Sequence, residues 1–410
     1  MTDADEPGDA PPRPARRATF GVLGGLAVVA GSLVGWAVLR DGGKPAPPPL
    51  PPGAVTIDVW APYWTLGDTV DEVPARLTDV REVSPFWYGV RGVASISVDE
   101  HASADSAAEF IDAVGDTPAR LVPSLLDQMP AGAMAAILTD PAQRARHVDA
   151  ITAFADEVGA AGIDIDYEQF AFADGRESWA TTRPAWVAFV EELATELHAA
   201  GRTLAISIPP VYDDGQTDSS GYWVYDHGAI AAHADSIRIM GYDYSTSEAG
   251  PIAPLDWVRR LVAGVSAAVP EEYHHKLVLG VPAYGSNWVL ATTGRCPTDA
   301  EGKTTVSVRS ATDLATRRGG TPEYDAGFGE WTFDYDLTVE DATRSCVQSR
   351  EVRWVGAEGV GQRAEIARRA GWGGVALWAL GYEDDAAWTA LVTAARAPMS
   401  AVPAGSSAGL

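Results

Sequence analysis

Between residues 55 and 397, short runs rich in β-branched and aromatic residues alternate with stretches whose apolar positions recur every three to four residues. The strand-like runs are 55–60, 80–87, 120–125, 162–168, 203–208, 236–242, 276–282 and 374–380. Helical spacing fills the intervals. In 184–197, Pro184 stands in the first turn, and Trp186, Phe189, Val190, Leu193 and Leu197 fall on one stripe. Comparable stripes run over 140–158, 255–269, 362–370 and 385–395. Eight strand–helix units predict an α/β chain folded as a (β/α)8 TIM barrel, whose working face is formed by the C-terminal ends of the strands. A doubly wound open sheet is the alternative, but no Gly-rich phosphate loop follows the first strand.

One interval breaks the rhythm. Residues 286–356, between the seventh strand and its helix, hold a helical pattern over 307–318 and the alternating run Glu330-Trp331-Thr332-Phe333-Asp334-Tyr335. A structureless loop of that length is rare, so a small α+β insertion after strand 7 is expected, walling one side of the mouth. Both cysteines, Cys296 and Cys346, fall within it. Their spacing fits no metal pattern, and a disulfide is the natural reading.

Ahead of the barrel, residues 1–17 are polar and include Arg13, Arg16 and Arg17, and 18–39 carry no charge. At about 1.5 Å per residue, such a helix just crosses a hydrocarbon layer of ~30 Å. The pattern predicts a cytoplasmic tail over 1–17 and a single transmembrane anchor over 18–39, with the rest of the chain extracytoplasmic at the cell membrane. A cleaved signal peptide is the alternative, and it exports the same remainder. Residues 40–53 form a Pro-rich linker, 54–397 the main domain, and 398–410 a small polar tail expected to be disordered.

Composition narrows the partners. A length of 410 residues with 14 Trp is enough for a large core, and a net charge of −26 offers no basic footprint for nucleic acid. A neutral substrate is the easier expectation. The candidate chemistry lies in Ile163-Asp164-Ile165-Asp166-Tyr167-Glu168, where alternation puts three carboxyls on one strand face. Charges stacked at inward positions raise one another's pKa, which a merely solvated strand face does not need.

From Gly162 to Glu168 the fourth strand resembles the D-G-x-D-x-D-x-E signature of the family 18 glycoside hydrolases, the group containing chitinases and related N-acetylglucosaminidases, except that Ala161 replaces the first Asp. Met240-Gly241-Tyr242-Asp243 on the sixth strand, Gly280-Val281-Pro282-Ala283-Tyr284-Gly285 on the seventh, and Trp378 followed by Leu380-Gly381-Tyr382-Glu383 on the eighth are similar to the family's blocks, in its order. The stretches Phe86-Trp87-Tyr88 and Gly250 to Trp257 also resemble a bacterial branch that includes peptidoglycan and spore-cortex lytic enzymes.

The resemblance implies a retaining, substrate-assisted hydrolysis of β-1,4 linkages in an N-acetylglucosamine-containing glycan, peptidoglycan or chitin, by a monomer without metal or organic cofactor. By match, Glu168 is the general acid and later the base. Asp166 orients the 2-acetamido group, Asp164 shares a proton with Asp166, and Tyr242 holds the acetamido carbonyl. Trp378 is the sugar platform. Met240 and Asp243 accompany Tyr242 at the strand's end, and Tyr63, Trp87 and Tyr284 are expected to line subsites. Arg238 shares parity with Met240 and Tyr242, so it is expected to point inward and pair with Asp164. Two rivals stand beside this reading: a non-catalytic lectin-like barrel, and a glycosidase using two carboxylates directly.

Overall fold

A computed structural model describes residues 50–68, 72–209 and 221–398. The expected cytoplasmic tail, membrane anchor and most of the linker, together with all but the first residue of the C-terminal tail, lie outside the described residues. Among the described residues no helix is long and apolar enough to cross a membrane.

Eleven strands form one curled, TIM-barrel-like sheet. In spatial order they are Ser95–Val98, Tyr88–Gly92, Ser124–Asp127, Gly162–Asp166, Thr203–Ile208, Ser236–Met240, Leu277–Pro282, Gly374–Trp378, Thr56–Pro62, Glu82–Phe86 and Arg120–Leu121. All pairings are parallel except that of Ser95–Val98, which returns as a hairpin on Tyr88–Gly92 and was not foreseen from the pattern. Helices cross back between successive strands, as parallel pairing requires.

Two of the strands run on past the expected bounds of 80–87 and 120–125, and each is broken in two. Trp87 separates Glu82–Phe86 from Tyr88–Gly92, and Val122-Pro123 separates Arg120–Leu121 from Ser124–Asp127. Pro123 has no N–H to give a ladder. The backbone still bonds on both sides of this break: Val122 N donates to Val83 O, and Asp164 N donates to Pro123 O, each at 2.9 Å.

The Gly162–Asp166 strand is buried on both faces. Ile163, Ile165 and Tyr167 point to the helix layer, which leaves Asp164, Asp166 and Glu168 facing the barrel axis. Tyr167 shows how firmly that orientation is held. Its hydroxyl lies 2.9 Å from Nε2 of His147, on the helix Pro141–Glu157, and Nδ1 of His147 lies 2.8 Å from Val93 O. A carbonyl only accepts, so Nδ1 carries the proton and Nε2 accepts from the tyrosine. Burial pushes the His147 pKa down and keeps the ring neutral.

A second sheet of five antiparallel strands runs in the order Thr304–Ser307, Tyr284–Gly294, Ser345–Trp354, Glu330–Glu340, Glu323–Asp325. Its helix, Val308–Arg318, starts where Ser307 Oγ accepts from Ser310 N and stops at Gly319, whose φ of +67° suits glycine. Cys296 and Cys346 are joined in a disulfide that ties the loop after Tyr284–Gly294 to the Ser345–Trp354 strand.

Candidate active site

The barrel floor is a set of buried charges. Asp164, with no solvent exposure, accepts hydrogen bonds from Trp60 Nε1 (3.1 Å), Ser124 Oγ (2.6 Å) and Ser207 Oγ (2.8 Å), and Arg238 Nη1 lies 3.2 Å from its Oδ2. Arg238 does more than the expected pairing. Its Nη2 also reaches Glu82 Oε2 at 2.9 Å and Asp58 Oδ2 at 3.4 Å, and its Nη1 donates to Ser84 Oγ at 2.7 Å. Arg81 grips Asp58 at 2.5 Å, and Arg120 stands 3.7 Å from Glu82. Three arginines thus face three carboxylates, and their pairing offsets the high cost of burying charge. Burial opposes ionisation of Glu82, yet Arg81, Arg238 and Arg120 hold its pKa below the usual range.

Asp166 sits one layer above, and the surroundings differ sharply. Its carboxyl is buried, and its Oδ1 has no hydrogen-bond partner among the described residues. Burial, then the charges of Glu168 and Asp164, push its pKa well above the ordinary value. Its carboxyl is therefore harder to ionise than an ordinary aspartate.

Glu168 lies just beyond the strand, at the start of the short helix Gln169–Phe172. Its side chain reaches solvent, but it stands in the mouth of the barrel, where the surrounding protein removes much of its hydration. That desolvation, reinforced by the charge of Asp243, pushes its pKa up to about 7. The backbone beneath it is tethered: Tyr225 Oη donates to Tyr167 O at 2.8 Å, and Trp186 Nε1 holds Tyr225 O at 3.0 Å. A carboxyl with a pKa near neutrality, on a fixed strand end, suits proton donation to a leaving group.

Aromatic rings complete the mouth. Trp378, half-buried, meets Phe86 at 4.8 Å, Trp60 at 5.9 Å, Tyr242 at 6.2 Å and Trp64 at 6.3 Å between ring centroids. Its plane is inclined 28° to that of Tyr242. The Trp378–Ala379 peptide is cis. Burial, followed by the charges of Asp166, Asp243, Glu168 and Asp164, keeps the Tyr242 hydroxyl protonated well above its usual range. Tyr284 donates its hydroxyl to Asp243 Oδ1, and Asp243 holds a left-handed φ of +58°. Among the described residues no group of three or more His, Cys, Asp or Glu side chains is placed to hold a metal ion.

The structure brings Asp164, Asp166, Glu168, Met240, Tyr242, Asp243, Tyr284 and Trp378 to the barrel interior and its mouth. Tyr63 stands at the edge, its ring 5.0 Å from that of Trp64. Trp87 is the correction. It is 2% exposed and packs on Phe110 of the helix Ala104–Gly115, so it belongs to the outer layer and cannot line a subsite. Alternation from Glu82 puts Phe86 inward and Trp87 outward, and Phe86 takes the expected place beside Trp378. Trp64 and Tyr225 lie in 3-10 segments, where no hydrophobic period marks them, and Tyr63 in the first of these was expected only from its place just after the first strand.

The family model for glycosyl hydrolases family 18 matches residues 132–383. The putative sporulation-specific glycosylase YdhD of Bacillus subtilis is 32% identical over 158 residues, which is 38% of this chain and 34% of that protein. The uncharacterized glycosylase YvbX of Bacillus subtilis is 23% identical over 261 residues, 62% of this chain and 67% of that one. The chain thus spans about a third of the first relative and two thirds of the second. Among solved structures, a chitinase from Chromobacterium violaceum superposes with a TM-score of 0.65 at 22% identity, covering 83% of this chain and 99% of that one. The Bacillus megaterium spore cortex-lytic enzyme SleL gives 0.66 at 16% identity, covering 83% and 73%. At such identities these two likenesses concern the fold.

Proposed function

The chain belongs to the glycosyl hydrolases family 18, and from that premise we propose that it cleaves β-1,4 linkages in an N-acetylglucosamine-containing polysaccharide, peptidoglycan or chitin, with retention and with help from the substrate's own acetamido group. The observation that carries the reading is the contrast along one strand. Asp164 is saturated with donors, Asp166 keeps a buried oxygen without a partner, and Glu168 holds its proton up to about 7 at the open end.

In this mechanism Glu168 gives its proton to the leaving glycosidic oxygen while the acetamido oxygen attacks the anomeric carbon. Asp166 Oδ1 accepts the acetamido N–H, and the Tyr242 hydroxyl donates to the acetamido carbonyl. The ring of Trp378 packs against the apolar face of the sugar at the point of cleavage. Glu168, now ionised, then takes a proton from the water that opens the cyclic intermediate.

We read ten of the eleven strands as the eight of a (β/α)8 barrel, with 82–92 and 120–127 each one strand broken in two and Ser95–Val98 an added hairpin strand. The chain's working place in this proposal is the outer side of a membrane, held there by 18–39; the charge-free run and its arginine flank support this. Digestion of purified peptidoglycan and of chitin side by side, with mass analysis of the new reducing ends, tests the substrate. Release of N-acetylglucosamine reducing ends from either polymer is expected, and release from neither would refute the proposal.

A further inference from the structure

We infer that the second sheet carries a separate binding site for one pyranose unit of a neutral glycan, in a cavity of about 290 Å³ lined by Trp331, Trp354, Thr312, Gly356, Glu358 and Asp384. Its ligand class rests on the glycan reading above, but its residues take no part in the chemistry.

Trp331 and Trp354 stand directly opposite each other on neighbouring antiparallel strands. Their ring centroids are 6.2 Å apart and their planes differ by only 19°, so they stack: Trp354, 5% exposed, backs the half-buried Trp331, which supplies the cavity's aromatic surface. Flat rings of this kind pack against the C–H faces of a sugar, where a hydrated ion gains little.

The polar groups suit the same ligand. Trp331 Nε1 donates to Glu358 Oε2 at 3.1 Å, fixing the ring and holding a carboxylate at the rim. Asp384 is fixed by accepting from Ala387 N at 2.8 Å. Thr312 adds a hydroxyl from an exposed helix position. No lysine or arginine lines the cavity, so it offers acceptors to hydroxyl groups and repels anions. A larger groove of about 850 Å³ between the helices Ala357–Arg369 and Asp385–Arg396 lacks aromatic rings and carries no such signature.

Gly356 gives the cavity its shape. A Cβ there would stand 2.8 Å from Trp331 Cδ1, so a side chain would displace the ring. The volume is at the small end of ligand pockets, enough for a single sugar ring. The cavity is linked along the chain to the active-site mouth through Asp384. Asp384 follows two residues after Tyr382, whose hydroxyl accepts from Trp64 Nε1 at 2.8 Å and whose carbonyl accepts from Arg309 N at 3.0 Å. A glycan leaving the mouth over Tyr382 meets this pocket next.

Two substitutions test the site. Thr312→Arg fills the cavity from an exposed position, and Trp331→Ala removes one ring. Calorimetric titration of the whole protein with an N-acetylglucosamine trimer should show one fewer equivalent bound in Thr312→Arg than in the native protein, whether or not the protein hydrolyses anything. In the rate assay, either substitution should lower the ratio of hexamer to chromogenic-dimer hydrolysis at least fivefold. Unaltered stoichiometry in Thr312→Arg would overturn the site. A hexamer-to-dimer ratio unmoved in both variants would overturn its reach to the active-site mouth. Loss of dimer hydrolysis in the native protein would instead count against the hydrolase reading.

Discussion

Arg238 Nη1 lies 3.2 Å from Asp164 Oδ2, and neither side chain has any exposure to solvent. Together with Trp60, Ser124 and Ser207, the guanidinium occupies the acceptor capacity of Asp164, and the buried Oδ1 of Asp166 above it has no partner among the described residues. Desolvation and charge repulsion therefore both raise the pKa of Asp166.

Replacing Arg238 by Met would leave Asp58, Glu82 and Asp164 buried with one cation fewer. Removing one partner of a buried ion network costs about 3–5 kcal/mol. Urea unfolding of Arg238→Met should show a loss of that order, and a change below about 1 kcal/mol would mean that the floor tolerates the unpaired carboxylates.

The pKa of Glu168, about 7, sets the alkaline side of the rate profile. A general acid must carry its proton, so kcat/KM should fall roughly tenfold per pH unit above that value. Asp243 contributes to the upward shift by its negative charge. In Asp243→Asn that contribution is gone, the Glu168 pKa drops, and the alkaline limb should move to lower pH; a limb that moves up or stays would contradict this origin of the shift.

Tyr225→Phe deletes one hydrogen bond to Tyr167 O, between the two working carboxyls. A net hydrogen bond is worth about 1 kcal/mol, so kcat should fall roughly fivefold while the circular dichroism spectrum holds. An unchanged kcat would remove Tyr225 from the positioning of Glu168.

Much of this was legible from alternation alone. Once Asp164 faces inward, so must Asp166 and Glu168, and the same parity carries Arg238, Met240 and Tyr242 into the barrel. Partners were not legible in the same way. Arg238 could be assigned an inward direction, but its contacts with Glu82 and Asp58 depend on the stagger between distant strands. Phe86 and Trp87 are adjacent aromatics at the break in an expected strand, so composition could not choose between them. Trp64 and Tyr225 were hidden for another reason: side chains in short 3-10 segments are aimed by tertiary contacts and follow no period.

The disulfide closes a loop of 50 residues and ties it to the Ser345–Trp354 strand. In the chain-entropy model its loss costs about 4 kcal/mol. Cys296→Ser with Cys346→Ser should therefore lower the unfolding midpoint of the protein, measured by calorimetry, and an unchanged midpoint would show that the second sheet does not depend on the bond.

The most direct measurement is hydrolysis of a chromogenic N,N′-diacetylchitobioside by the native protein and by Glu168→Gln. Glutamine keeps the shape of the side chain and cannot donate the acid's proton, and general acid catalysis is typically worth 10²–10⁴-fold. The native protein should release the chromophore, and Glu168→Gln should be slower by about that factor. Equal rates in the two proteins, or native rates no higher than buffer, would contradict the assignment of Glu168 as the acid.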